Sequence, residues 1–324
     1  MKKLLLILLC LPMIGFGQTL IPDANFEQAL INLGYDTGTP NGSVPTANID
    51  TLTFLDVSSQ NISDLTGIED FTNLTFFNCN QNQLTSLDVS QNTDLTFFHC
   101  NQNQLTSLDV SQNTDIENLN CGTNQFTSLN LSNNTNLLHL DFYDNQLTFI
   151  DLSQNTDLIE LRCGINLLTS LDLSQNTSLE YLYCQSNQLT SLNVSNNTAL
   201  EILVCASNQL STLDVSQNSV LTMLDCGDNQ LTNLDIRNGN NTNMGYFDAG
   251  VLYPAIWSWD NPYLTCISVD DHFFSTTNWT NIDPQHYFFN NCIGTIVQEK
   301  IETKELLKVT DLLGKDVKLE KNKP

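Results

Sequence analysis

Seven cysteines stand at one fixed interval, Cys79, Cys100, Cys121, Cys163, Cys184, Cys205 and Cys226, with Phe142 on the remaining rung. Zinc chemistry needs ligands in close pairs, and this spacing supplies none. Nucleophilic chemistry needs a base beside the thiol. His99 precedes Cys100, but neighbours along a strand point to opposite faces, so no thiolate–imidazole pair forms there. Phenylalanine on the same column marks it as apolar, and the thiols read as small buried hydrophobes. His139, His272 and His286 complete the histidines, and no HExxH, GxSxG or phosphate loop is present. His272, beside Asp270 and Asp271, reads as part of an exposed loop. A second column is acidic: Asp88, Asp109, Asp151 and Asp172 recur in one context. Stacked in register they repel one another, and calcium bridging neighbouring aspartates, with serines as secondary ligands, is the metal chemistry such a column offers.

The elements that must position these side chains are repeats. From Leu84 to Gln230 the chain reads as a run of seven equal units, preceded by two irregular ones from about Leu52. Each unit carries two copies of one pattern, LxxLxVSxN and LxxLxCxxN. In Leu105 to Asn113, strand alternation turns Leu105, Leu108 and Val110 inward and Ser107, Asp109 and Ser111 outward. Asn103, Asn124, Asn145, Asn187, Asn208 and Asn229 form a column at the turn after the Cys strand. There a buried amide can bond backbone groups of its own and adjacent coils. A period of about 21 residues predicts a solenoid whose units bury their apolar edges against their neighbours. The reading is one elongated parallel β-solenoid of nine to ten coils, about 45 Å of stack.

The two halves of the repeat have diverged unequally. On the LTSLDVS half the outward columns are nearly constant, Ser86, Ser107, Ser128, Ser170 and Ser191 beside the aspartates. On the Cys half one outward column reads Phe76, Phe97, Asn118, His139, Glu160, Tyr181, Ile202, Met223. The next reads Asn78, His99, Asn120, Asp141, Arg162, Tyr183, Val204, Asp225. Both halves share the same duplications, and relaxed constraint on a wet sheet gives mostly polar substitutions. This half instead collects aromatic and apolar residues around Arg162, the composition of binding hot spots. Alternation exposes Phe76, Phe97, His99, His139, Asp141, Arg162, Tyr181, Tyr183, Ile202 and Val204 as partner contacts. Arg162 would pair with Asp141 and stack on Tyr183 from adjacent coils.

LxxLxCxxNxL resembles the strand segment of leucine-rich repeat proteins, and NISDLTGIEDFTNLT resembles their internalin-type bacterial subclass. The match runs from about Leu52 to Asp248. The flanks IPDANFEQALINLGYD and CISVDDHFFSTTNWTNID resemble the caps of secreted leucine-rich repeat proteins of Bacteroidetes type. KELLKVTDLLGKDVKLEKNKP, from Lys304, resembles the start of a C-terminal sorting domain of the type IX secretion system, which implies contact with that machinery. A loose basic tail is the alternative reading.

Five segments follow. Residues 1–17 form a secretory signal, with Lys2 and Lys3 before the apolar run Leu4 to Ile14. Cys10 inside that run has no small residue before it and does not make a lipoprotein anchor. Residues 18–50 form an N-terminal cap with a short helix carrying Phe26, Leu30, Ile31 and Leu33. Residues 51–247 hold the repeats, 248–293 a C-terminal cap and 294–324 the partial sorting tail. Cys266 and Cys292 lie outside the ladder in a cap with little core of its own, where a disulfide is expected. Trp257, Trp259, Trp279, Asp260, Asp270 and Asp271 share that cap without a spacing that makes a catalytic pair. The formal charge is −25, and Arg162 and Arg237 are the only basic residues between Lys3 and Lys300. Such a field repels nucleic acid and anionic lipid. No membrane span is read in the mature chain. The function expected is non-enzymatic binding of a protein or glycan, outside the cell or at its surface. The runner-up is a cation-stabilised structural or adhesion protein.

Overall fold

The computed structural model describes residues 17–248, 251–253, 255–292, 296–297 and 309–310. The segment read as a secretory signal, bar its last residue, and most of the segment read as a sorting tail lie outside the described residues. The chain forms two compact units, Met1–Leu147 and Thr148–Pro324.

The first unit opens with β1 (Gln18–Leu20), α1 (Ala24–Leu33) and β2 (Ser43–Pro45), the two strands pairing antiparallel. Asp23 starts the helix: its Oδ1 accepts the Asn25 and Phe26 N–H groups at 2.8 and 3.1 Å. Its Oδ2 accepts the Ser63 and Asp64 N–H groups, so one carboxylate ties the helix to the first coil. Gly34 ends the helix at φ 85°, a conformation that suits a residue without Cβ. Phe26, Ala29 and Leu30 are buried, and the Phe26 ring lies 6.1 Å from Phe71. Leu33, expected on this face, sits in the last turn and is exposed. Glu27 is buried in its place, its carboxylate taking the Asn41 and Gly42 N–H groups at 2.6 and 2.7 Å.

Five parallel strands follow in this unit: β3 (Phe54–Asp56), β4 (Phe76–Asn78), β5 (Phe97–His99), β6 (Asn118–Asn120) and β7 (His139–Asp141), paired in chain order where their register is defined. The strands are short because an obligatory turn follows each Cys. Two residues past Cys79, Cys100 and Cys121 the backbone is left-handed, at Gln81, Gln102 and Thr123. Leu55, Phe77, Phe98, Leu119 and Leu140 point inward with Cys79, Cys100, Cys121 and Phe142, all buried.

In the second unit β8 (Glu160–Arg162), β9 (Tyr181–Tyr183), β10 (Ile202–Val204), β12 (Met223–Asp225) and β16 (Ile256–Trp257) form a parallel sheet in that order. A second parallel sheet is built from the other half of the coils, in the order β11 (Thr212–Asp214), β13 (Asn233–Asp235), β17 (Cys266–Ser268) and β18 (Tyr287–Phe289). The hairpin β14 (Tyr246–Asp248) and β15 (Val251–Tyr253) is inserted before β16, and α2 (His272–Asn278) packs beside β18. A short pair, β19 (Ile296–Val297) with β20 (Val309–Thr310), lies in the tail.

Two expectations change here. The LTSLDVS half was read as strand in every coil; among the described residues it forms paired strand only from Thr212 onward. Its side chains still alternate, with Leu105, Leu108 and Val110 buried and Ser107 and Asp109 exposed. The repeats also run on into the segment read as a cap. β16 and β17 extend the two sheets, Ser258 takes the cysteine position, and Asn261 takes the asparagine position, donating to the Cys226 carbonyl at 3.0 Å. The hairpin insertion stretches the regular interval there and hides this coil from a fixed-period reading.

Candidate functional site

The asparagine column fixes the frame on which outward side chains are displayed. Asn124 is typical: its Nδ2 donates to the carbonyls of Cys100, Cys121 and Gly122, and its Oδ1 accepts the Leu105 N–H at 3.0 Å. Asn82, Asn166 and Asn261 belong to the same column. Because each amide closes one coil onto another, the strands between them are held in register, and side chains one coil apart stand roughly 4.8 Å from each other.

In the first unit that register stacks aromatic rings on the outer surface. Phe54, Phe76 and Phe97 are direct cross-strand partners, with centroids 4.4 and 4.6 Å apart and planes within 14° and 11° of parallel. Phe54 is 54% exposed, and Phe76 and Phe97 are half-buried. His99 closes the stack, 4.1 Å from the Phe97 ring, with its Nε2 3.0 Å from Asn118 Oδ1. Burial lowers the His99 pKa against the opposing pull of Asn118 and the Asp141 and Asp56 carboxylates, so the ring is neutral at pH 7. His139 and Asp141 follow on the same columns and are half-buried. Phe54 was not among the expected contacts, because it lies in an irregular coil before the regular register begins.

In the second unit Arg162 holds the centre. Its Nε donates to Glu160 Oε1 at 2.6 Å, and its guanidinium lies 4.7 Å from the Tyr183 ring centroid. The stack on Tyr183 is the one expected. The ion pair with Glu160 was missed because the sequence reading paired side chains only across coils, although residues two apart on a strand share a face. The Arg162 side chain is 49% exposed. Tyr181 points its hydroxyl at Glu201 Oε2, 3.3 Å away. Ile202 and Val204 do not provide the surface expected of them, being 5% and 9% exposed. Tyr181 and Met223 flank Ile202 on the adjacent strands, while Tyr183 and Asp225 flank Val204. The second column continues into Trp257, which aligns with Asp225. Trp259, 47% exposed, packs its indole against Gly227, where a Cβ would lie 3.1 Å from the ring.

The other chemistry-bearing groups have structural employment. All seven ladder cysteines are buried and outside the disulfide, and burial pushes the pKa values of Cys79, Cys100, Cys121, Cys184, Cys205 and Cys226 up, to about 12 for Cys184. Asp88, Asp109, Asp151 and Asp172 each accept the N–H of the serine two residues on, at 2.9 to 3.0 Å, and these bonds hold the carboxylates below their usual range. Among the described residues no group of three or more His, Cys, Asp or Glu side chains is placed to hold a metal ion. Cys266 and Cys292 form a disulfide that ties β17 to the segment after β18. Ser258, His286 and Asp283 converge, with Ser258 Oγ 3.4 Å from His286 Nδ1 and His286 Nε2 3.5 Å from Asp283 Oδ2. Ser258 is wholly buried, and the Asp283 carboxylate caps the Asp260 and Asn261 N–H groups, so this triad holds the last coil closed. Among the described residues no helix is long and apolar enough to cross a membrane.

Short parallel strands, a coil of constant length and buried asparagine and cysteine columns define the leucine-rich repeat solenoid. Solved structures bear this out. An internalin of Listeria monocytogenes is 22% identical with a TM-score of 0.60, covering 83% of this chain and 91% of its own. A leucine-rich repeat protein of Leptospira interrogans is 18% identical with a TM-score of 0.54, covering 75% of this chain and 73% of its own. The functional domain of InlJ from Listeria monocytogenes, which includes a cysteine ladder, is 32% identical over 85% of this chain and 71% of its own. Its superposition is looser, at a TM-score of 0.48, and the fold assignment rests on the other two. No protein-family model and no curated protein matches the chain.

Proposed function

We propose that this is an exported, non-enzymatic binding protein that holds a protein or glycan at or outside the cell surface. The contacts come from the outward side chains of the Cys-half strands. The observation that carries this reading is the contrast between the two halves of each coil. The constant half spends its polar side chains on its own backbone, as the aspartate–serine bonds illustrate. The variable half presents stacked phenylalanines in one unit and an arginine laid on tyrosine in the other. Rigid aromatic rings and a preoriented guanidinium lose little conformational freedom on binding, which is why such residues dominate interface energetics. The export leader and the type IX sorting tail give this surface its location.

Capture from host and bacterial surface extracts, together with a glycan array, tests the reading. The full chain is compared with Arg162→Glu/Tyr181→Ala/Tyr183→Ala after a circular dichroism check of folding. A protein or glycan held by the wild type and released by the variant is expected. Identical capture by both removes the strand face from the account.

A further inference from the structure

Three positions that are polar in the other regular coils turn apolar together. Two residues past the cysteine column stand Gln81, Gln102, Thr123, Asp144, Ser186, Ser207 and Asp228, but also Ile165. Two residues further stand Gln83, Gln104, Gln125, Gln146, Gln188, Gln209 and Gln230, but also Leu167. The third residue of the LTSL segment is Ser86, Ser107, Ser128, Ser170, Ser191, Thr212 and Asn233, but also Phe149. The fold does not bury these replacements: Phe149 is 63% exposed, Ile165 40% and Leu167 42%. Ile165 and Leu167 flank the buried Asn166 on one turn, and Phe149 belongs to the preceding coil, at the repeat position that Ser170 holds in the next. All three lie in the second unit.

Ile165 also stands against a backbone preference. Its φ is 49°, in the left-handed region where β-branched side chains are disfavoured, and Thr123 is the only other β-branched residue in that column. Drift at a wet position gives no reason for three large apolar residues to be exposed in two consecutive coils, one of them on strained backbone. An exposed apolar cluster of this kind marks a contact surface. Its surroundings are acidic. Asp151, two residues past Phe149, and Asp172, one coil on, are exposed, and the serine N–H groups keep both ionised. Arg162 is paired with Glu160 and Arg237 with Asp235, and no other basic residue occurs between Thr148 and Cys292.

We propose that Phe149, Ile165 and Leu167 form a second docking patch, separate from the strand face, for a protein segment that presents apolar side chains beside lysine or arginine. Charge complementarity selects that partner. A second copy of this chain brings the same acidic surround and is repelled.

A random peptide library displayed on phage and panned on the full chain tests the proposal. Enriched peptides are then titrated, by fluorescence anisotropy, against wild type, Phe149→Ser/Ile165→Ser/Leu167→Gln, and Arg162→Glu/Tyr183→Ala. The first variant restores residues that other coils already use, so its folding is not at risk, and a melting curve checks this. Peptides combining apolar with basic residues are expected, binding the first variant at least tenfold more weakly and the second unchanged. Three results overturn the patch: no such enrichment, equal binding to the first variant, or loss confined to the second. A wild-type dimer in sedimentation that dissolves in the first variant overturns the choice of partner.

Discussion

At the scale of the residue, amides and thiols do different work from what their chemistry first offers. Asn124 satisfies four backbone groups. In the parallel column Asn113 donates to the Val89 and Asn92 carbonyls, while its Oδ1 has no protein partner. Removing the first amide strands the buried Leu105 N–H, while the three carbonyls keep other donors; removing the second strands no N–H and also removes an unsatisfied acceptor. Asn124→Ala should therefore cost about 2–4 kcal/mol and clearly more than Asn113→Ala, read as the shift in urea midpoint. The thiols are expected to resist iodoacetamide in the native state at pH 8 and to react in guanidinium, because burial keeps them protonated. Labelling of native protein, detected by mass spectrometry, would contradict that. Both columns were legible in the fixed interval of the repeat, since identical environments select identical residues. Asn261 and Ser258 were not, because an inserted hairpin moves them off that interval.

At the scale of the element, the sequence announced alternation but not pairing. The LTSLDVS half alternates in burial through every regular coil, yet only its later copies make a hydrogen-bonded sheet. Local pattern reports which side chains face the core, whereas pairing needs neighbouring backbones brought together, which no single repeat encodes. The last coil carries its own prediction. His286 is buried, and burial lowers its pKa, against opposite pulls from the Asn261 carbonyl and the Asp283 carboxylate. Its folded pKa thus lies below the unfolded value of about 6.5. The stability it contributes is present above that value and lost as pH falls through the folded pKa. The melting temperature should drop between pH 7.5 and pH 5, and His286→Gln should flatten that slope. An unchanged slope in the variant would assign the acid sensitivity to other groups.

At the scale of the whole molecule, repetition serves display. Each coil is locked by the same inward residues, which leaves the outward ones free to differ without cost to the fold. That freedom made the candidate surface visible: Phe76, Phe97, Arg162, Tyr181 and Tyr183 stood out against constant neighbours. The same reading overestimated Ile202 and Val204, because a short side chain that points outward is not thereby exposed when strands flank it on both sides. The central claim is that variable columns bind and constant columns do not. Surface plasmon resonance with the captured partner tests it on three proteins: wild type, Arg162→Glu/Tyr181→Ala/Tyr183→Ala, and Asp88→Ser/Asp109→Ser. With this aspartate pair remote from the Phe149 patch, the account predicts an affinity loss of tenfold or more in the strand-face variant and an affinity within twofold of wild type in the aspartate variant. Equal losses in both, or a loss only in the aspartate variant, would contradict it.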